Sequence, residues 1–154
     1  YNFALSNNSG ETNLKLPIRS TSFFKDNIEE LFQLGAATIH QNNQIKNFKN
    51  IPCKMKKLDE IKIENRIGFI KIDVEGHEKD VILGGAETIK KNKPVLLVEI
   101  EERHTKKPVI ETINFINSFG YKAFILNANN ELKSISNIND FKKKINFIFL
   151  DKTI

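Results

Sequence analysis

Residues 69–85, FIKIDVEGHEKDVILGG, pass from an apolar strand pattern through acids and a glycine into a helical pattern. In FIKIDV, Ile70, Ile72 and Val74 fall on one face and Phe69, Lys71 and Asp73 on the other, the two-residue alternation of a strand. Beyond Gly76, the positions of Ile82, Ala86 and Ile89 at i, i+4 and i+7 predict a helix over about residues 77–92, with Val81 and Leu83 beside the stripe. Such a junction is the carboxyl end of a strand in an α/β unit, where open sheets bind their ligands. Asp73 and Glu75, together with Glu99 at the end of the next apolar run, are therefore candidate functional residues.

Working outward, PVLLVEI (94–100) is a continuous apolar run, as expected of a strand covered on both faces. Pro108 and Gly120 bracket a helical VIETINFINSF, and YKAFILN and NFIFLD close the chain as two strands. Upstream, YNFALS reads as a short buried strand, NNSGE as a turn, TNLKLP as an alternating strand and DNIEELFQLG (26–35) as a short helix. The expected architecture is α/β: one domain over 1–154 with a mixed, mostly parallel sheet, flanking helices and an antiparallel C-terminal strand pair.

The chain has 154 residues, 40% hydrophobic and 28% charged, with a net charge of +5. Its lysines are dispersed, which suits solvated faces better than a nucleic-acid or membrane surface. No apolar run is long enough to cross a bilayer. Cys53 stands alone, so no internal disulfide forms, and no signal peptide is visible; the expected location is cytoplasmic. The oligomeric state is open. The opening YNFALSNNSGE is read as starting inside a longer protein.

A carboxylate on a covered strand needs a partner or a chemical task, which favours function for Asp73. Glu78 and Asp80 suit the positive end of a helix. His77 is either a helix-surface residue or a catalytic base. Two other classes fit the residues: a metal-dependent hydrolase with Asp73, Glu75, His77 and Glu99 as hard ligands, and a basic nucleic-acid-binding module, which would need surface aromatics among its lysines.

The segments NFALSNNSGETNLKLP, LGAATI, KKLDEI and FIKIDVEGHEKDVILGGAETIKKNKPVLLVEIEERH, in that order, resemble the FkbM family of S-adenosylmethionine-dependent methyltransferases. The resemblance implies a partial class I, Rossmann-like fold with strand order 3-2-1-4-5-7-6. It places the glycine-rich cofactor loop before Tyr1, so the domain is expected to be N-terminally truncated and inactive alone. The implied reaction is O-methylation of a sugar, polysaccharide or secondary metabolite, with a small-molecule or glycan acceptor and neither nucleic acid nor membrane as partner. The implied cofactor contacts are Ala4, Leu5 and Ser6 near the adenine, with Asp73. Asp73, His77 and Glu99 are the expected catalytic residues. His77 is favoured as the base on its ordinary pKa of about 6.5, and Glu99 is expected to hold the acceptor.

Overall fold

The computed structural model describes residues 1–18, 34–40, 46–135 and 145–153. Most of the expected helix at 26–35 lies outside them. FIKI forms β4 (Phe69–Ile72) and VLLVE forms β5 (Val95–Glu99), paired in parallel from Phe69↔Val95 to Ile72↔Val98. The crossover between them carries α1 (Glu78–Gly84) and α2 (Ala86–Asn92), whose Val81, Ile82 and Ile89 are buried in the main core. After α3 (Glu102–Thr105) and α4 (Val109–Asn117) come β6 (Tyr121–Leu126), β7 (Leu132–Ser134) and β8 (Asn146–Asp151).

Strand β8 runs antiparallel between β5 and β6, giving the order β4-β5-β8-β6-β7. The class I order expected from the resemblance contains this run as 4-5-7-6. Phe147 and Phe149, fully buried on β8, join Leu96 and Val98 of β5 and Ile113 and Ile116 of α4 in one core. Tyr121, also buried, donates its hydroxyl to Pro94 O at 2.9 Å, so the core carries that oxygen without a desolvation penalty.

A second sheet holds β1 (Ala4–Leu5), β2 (Gly10–Pro17) and β3 (Phe48–Lys56) in the order β1-β3-β2. Segment 34–40 ties it to the first sheet's ligand end. Thr38 exchanges backbone bonds with Lys15 of β2, and its hydroxyl reaches Val74 O at 3.2 Å and Glu75 O at 3.3 Å.

Three expectations are corrected. The class is α/β, but antiparallel pairings outnumber parallel ones among the described residues, because β8 enters between β5 and β6 and β2 folds back on β3. YNFALS is strand only at Ala4–Leu5, and Tyr1 is 98% exposed. The helix expected over 77–92 is two helices. Gly85 leaves helical geometry at φ −114°, ψ 15°, and Leu58 packs against it so tightly that a Cβ there would lie 2.8 Å from Leu58 Cδ2. Asp59 then caps α2, accepting from the amides of Glu87 at 3.1 Å and Thr88 at 2.8 Å. Asp59→Ala is expected to cost about 0.5–2 kcal/mol, the usual loss for such a cap. Urea denaturation checks it; an unchanged midpoint would mean that Leu58 alone sets the break.

Candidate active site

The turn between β4 and α1 is held by residues from both sheets. Glu75 stands at φ +53° and Gly76 at φ +103°. The left-handed region costs a non-glycine residue on the order of 1–3 kcal/mol, so neighbouring contacts must compensate at Glu75. Thr38 holds the carbonyl side, and the buried Glu78 carboxylate accepts the Gly76 amide at 2.8 Å. Glu78 thus serves the helix start, as its position suggested. A Cβ on Gly76 would lie 3.0 Å from His104 Cβ and 3.2 Å from His40 Cδ2, so the turn fits closely against two imidazoles.

Three carboxylates converge on this turn. One oxygen each from Asp73, Glu75 and Glu99 can be chosen so that all lie within 4.8 Å of one another. Burial, followed by the charges of Asp73, Glu101 and Glu75, pushes Glu99 above the usual carboxylate range. Glu75 is also raised, mainly by burial, against the pull of Arg103. Asp73 is exposed and pairs with Lys71 at 2.8 Å. The premise that this strand is covered on both faces is therefore overturned: Phe69, Lys71 and Asp73 all face solvent. The trio could surround a hard cation, but His77, the fourth ligand of the hydrolase reading, turns elsewhere.

His77 faces the first turn of the chain. Its Nε2 lies 2.9 Å from Ser6 Oγ, and its Nδ1 lies 3.3 Å from Asp80 Oδ2 without an aligned hydrogen bond. Asn7 donates to the other Asp80 oxygen at 2.7 Å. The expected base thus has both ring nitrogens against protein groups, in a clamp joining residues 6–8 to α1. Burial lowers the His77 pKa, partly offset by Asp80.

Beside this clamp lies a mostly apolar cavity of about 280 Å³. Ala4, Leu5, Asp73 and His77 line it, with Leu14, Ile39 and Ile70 among its apolar walls. Four of the residues expected from sequence therefore meet at one cavity. Ser6 stands behind it, fully buried on His77, and Glu99 lies outside in the carboxylate trio. Asp73 belongs to both groups. Sequence reasoning missed His104, whose Nε2 lies 2.6 Å from Glu75 Oε2, and Thr38. Neither carried a local signal, since their partners are far off in sequence.

These buried groups set an expected pH response. Burial is the leading cause that lowers His40, His77 and His104 below 6.5. Their contribution to stability is present above 6.5 and lost as pH falls through their folded values, because the unfolded chain takes up protons first. Glu75, Glu78 and Glu99 are raised, so their contribution is present below 4.5 and lost as pH rises through their folded values. The histidine part is isolated by difference: as pH drops below 6.5 the urea midpoint of the wild type should fall relative to that of His77→Gln, and an unchanged difference would contradict a His77 pKa lowered by burial.

The methyltransferase FkbM domain pattern matches residues 1–123. Among solved structures, a methyltransferase FkbM from Methylobacillus flagellatus KT is similar at 20% identity, over 64% of this chain and 23% of that chain, with a TM-score of 0.42. The present chain thus spans less than a quarter of that protein's length. No curated protein matches the sequence. No helix among the described residues is long and apolar enough to cross a membrane.

Proposed function

The chain belongs to the FkbM methyltransferase family, and on that premise we propose that it serves methyl transfer from S-adenosylmethionine to a hydroxyl oxygen of a neutral, sugar-like acceptor. The observation that carries this reading is the meeting of the apolar cavity and the carboxylate trio at Asp73. Walls of Leu5, Leu14, Ile39 and Ile70 suit a flat nucleobase. At about 280 Å³ the cavity is just below the roughly 300–1,000 Å³ of typical ligand pockets. It fits an adenosyl portion better than a whole cofactor. Carboxylates at its edge suit the cofactor's cationic groups.

When bound, S-adenosylmethionine supplies an electrophilic methyl group. The chain's own residues supply position and a proton acceptor. Ala4 and Leu5 bound the nucleobase space, and Asp73 stands between it and the acceptor. Carboxylate oxygens accept hydrogen bonds, so Asp73 and Glu99 suit an acceptor that bears hydroxyl donors. Alignment of this kind is worth about 7–11 kcal/mol in well-oriented reactions, and removal of the hydroxyl proton by a raised-pKa carboxylate adds about 10²- to 10⁴-fold. His77, with Ser6 and Asp80, keeps the residue 4–8 segment against α1 and so shapes the cavity.

Calorimetric titration of S-adenosylmethionine into the longest natural form of the protein tests the reading. Binding is expected, and Ala4→Trp, which fills the cavity, should weaken it at least about tenfold with little change in melting temperature. Unaltered affinity in Ala4→Trp would move the cofactor elsewhere. Tight binding of Mg²⁺ or Mn²⁺ with none of S-adenosylmethionine would favour the hydrolase reading.

A further inference from the structure

A close polar contact at the acidic trio joins two side chains to which the proposed reaction has given no individual role. Glu75 Oε2 and His104 Nε2 lie 2.6 Å apart, with side chains 11% and 9% exposed. Glu75 is at once an element of the trio and the residue held at φ +53°. The Gly76 turn packs directly on the His104 Cβ, and His104 itself begins no new element: it sits inside the single turn of α3, which follows β5. The sequence thus brings an imidazole from beyond β5 onto a carboxylate beyond β4, at the ligand end of the sheet.

Resting on the methyl-transfer reading above, we propose that His104 is a positioning residue that holds the Glu75 carboxylate as the proton acceptor of the trio. The 2.6 Å contact sets His104 Nε2 against the carboxylate, where a neutral ring, the form that burial favours, donates Nε2–H to Glu75. In the transfer step Glu75 takes the acceptor's hydroxyl proton. The electron pair left on that oxygen forms the C–O bond, and the pair of the breaking C–S bond returns to the donor sulfur. Proton uptake takes the Glu75–His104 pair from net negative to neutral, the direction that burial favours. Asp73 and Glu101 add to the same pull on Glu75, while Arg103 opposes it. Among the described residues, His40 and Glu101 are further charged or titratable neighbours of His104.

Two measurements test the proposal, one of them independent of methyl transfer. Long-range ¹H–¹⁵N spectra of the imidazoles should show His104 as the Nε2–H tautomer at pH 7, with its ring signals displaced in Glu75→Gln. An Nδ1–H tautomer, or ring signals indifferent to Glu75→Gln, would overturn it. In the longest natural form of the protein, transfer of labelled methyl from S-adenosylmethionine to a panel of neutral polyols then compares His104→Gln, which keeps a donor near the Nε2 position, with His104→Leu, which has none. His104→Gln should stay within about threefold of wild type. His104→Leu should lose about 10²-fold in kcat with the KM for S-adenosylmethionine nearly unchanged. Equal loss in both variants, or loss confined to KM, would also overturn the positioning role. Absence of transfer by the longest natural form of the wild-type protein would count against the methyl-transfer reading, and the spectra would still decide the pair.

Discussion

Gly84→Ala should destabilise the domain by about 1–3 kcal/mol or more and weaken the cavity with it. Ordinarily alanine gains roughly 1 kcal/mol over glycine inside a helix. Here a Cβ would stand 1.9 Å from Ser6 O, 2.8 Å from Ser6 C and 3.3 Å from Asn7 Cα. All three are backbone atoms, so no rotamer change relieves the overlap, and overpacking of a closed interior costs about 1–3 kcal/mol before any secondary losses. The 6–8 segment would have to leave α1, breaking the Ser6–His77 and Asn7–Asp80 bonds and moving Ala4 and Leu5 away from the cavity. Against a typical total of 5–15 kcal/mol this is a large share. Thermal melts and S-adenosylmethionine titration of the variant check it together. A variant that melts like wild type would show that α1 and the 6–8 segment are not packed as described.

The same clamp shows what the sequence made legible. The alternation of FIKIDV and the unbroken PVLLVE are local signals, and they yielded β4, β5 and the position of Asp73 at the ligand end. Pro108 and Gly120 marked the limits of α4 for the same reason. What failed depended on distant residues. The split between α1 and α2 is imposed by Leu58 and Asp59, which precede it by more than a helix length, while the apolar stripe of residues 82, 86 and 89 runs on through the break. The antiparallel entry of β8 between β5 and β6 leaves no mark in either strand's own pattern, and it was expected instead from the resemblance, whose order 4-5-7-6 the sheet reproduces. Asp73 was singled out on the assumption of a covered strand, whereas its face is open to solvent; its place in the trio now supports the proposed role. Glu75 and His104 pair across 29 positions through a left-handed turn, which periodicity cannot reveal.

Asp73→Asn and Glu99→Gln should each lower methyl-transfer turnover by about 10²-fold while leaving the fold intact. For Asp73 the reason lies in its surroundings. Its partner Lys71 is exposed, and such surface pairs contribute only about 0–1 kcal/mol, so the loss of charge should scarcely move the melting temperature. For Glu99 the direction goes further. Burial and the charges of Asp73, Glu101 and Glu75 raise its pKa, so the ionised form is disfavoured in the folded state, and a neutral glutamine should melt at the same temperature or slightly higher at pH 7. A change that spares or improves stability yet removes activity is the behaviour of a residue kept for function. The double variant should be little slower than either single one, because carboxylates that orient the same hydroxyl act as a unit. His77→Ala gives the contrast. Losing the Ser6 contact should lower the melting temperature, with turnover per folded molecule changing less than in Asp73→Asn. If Glu99→Gln instead unfolds the protein while activity per folded molecule persists, the trio is a structural network at a strand end and the acceptor binds elsewhere.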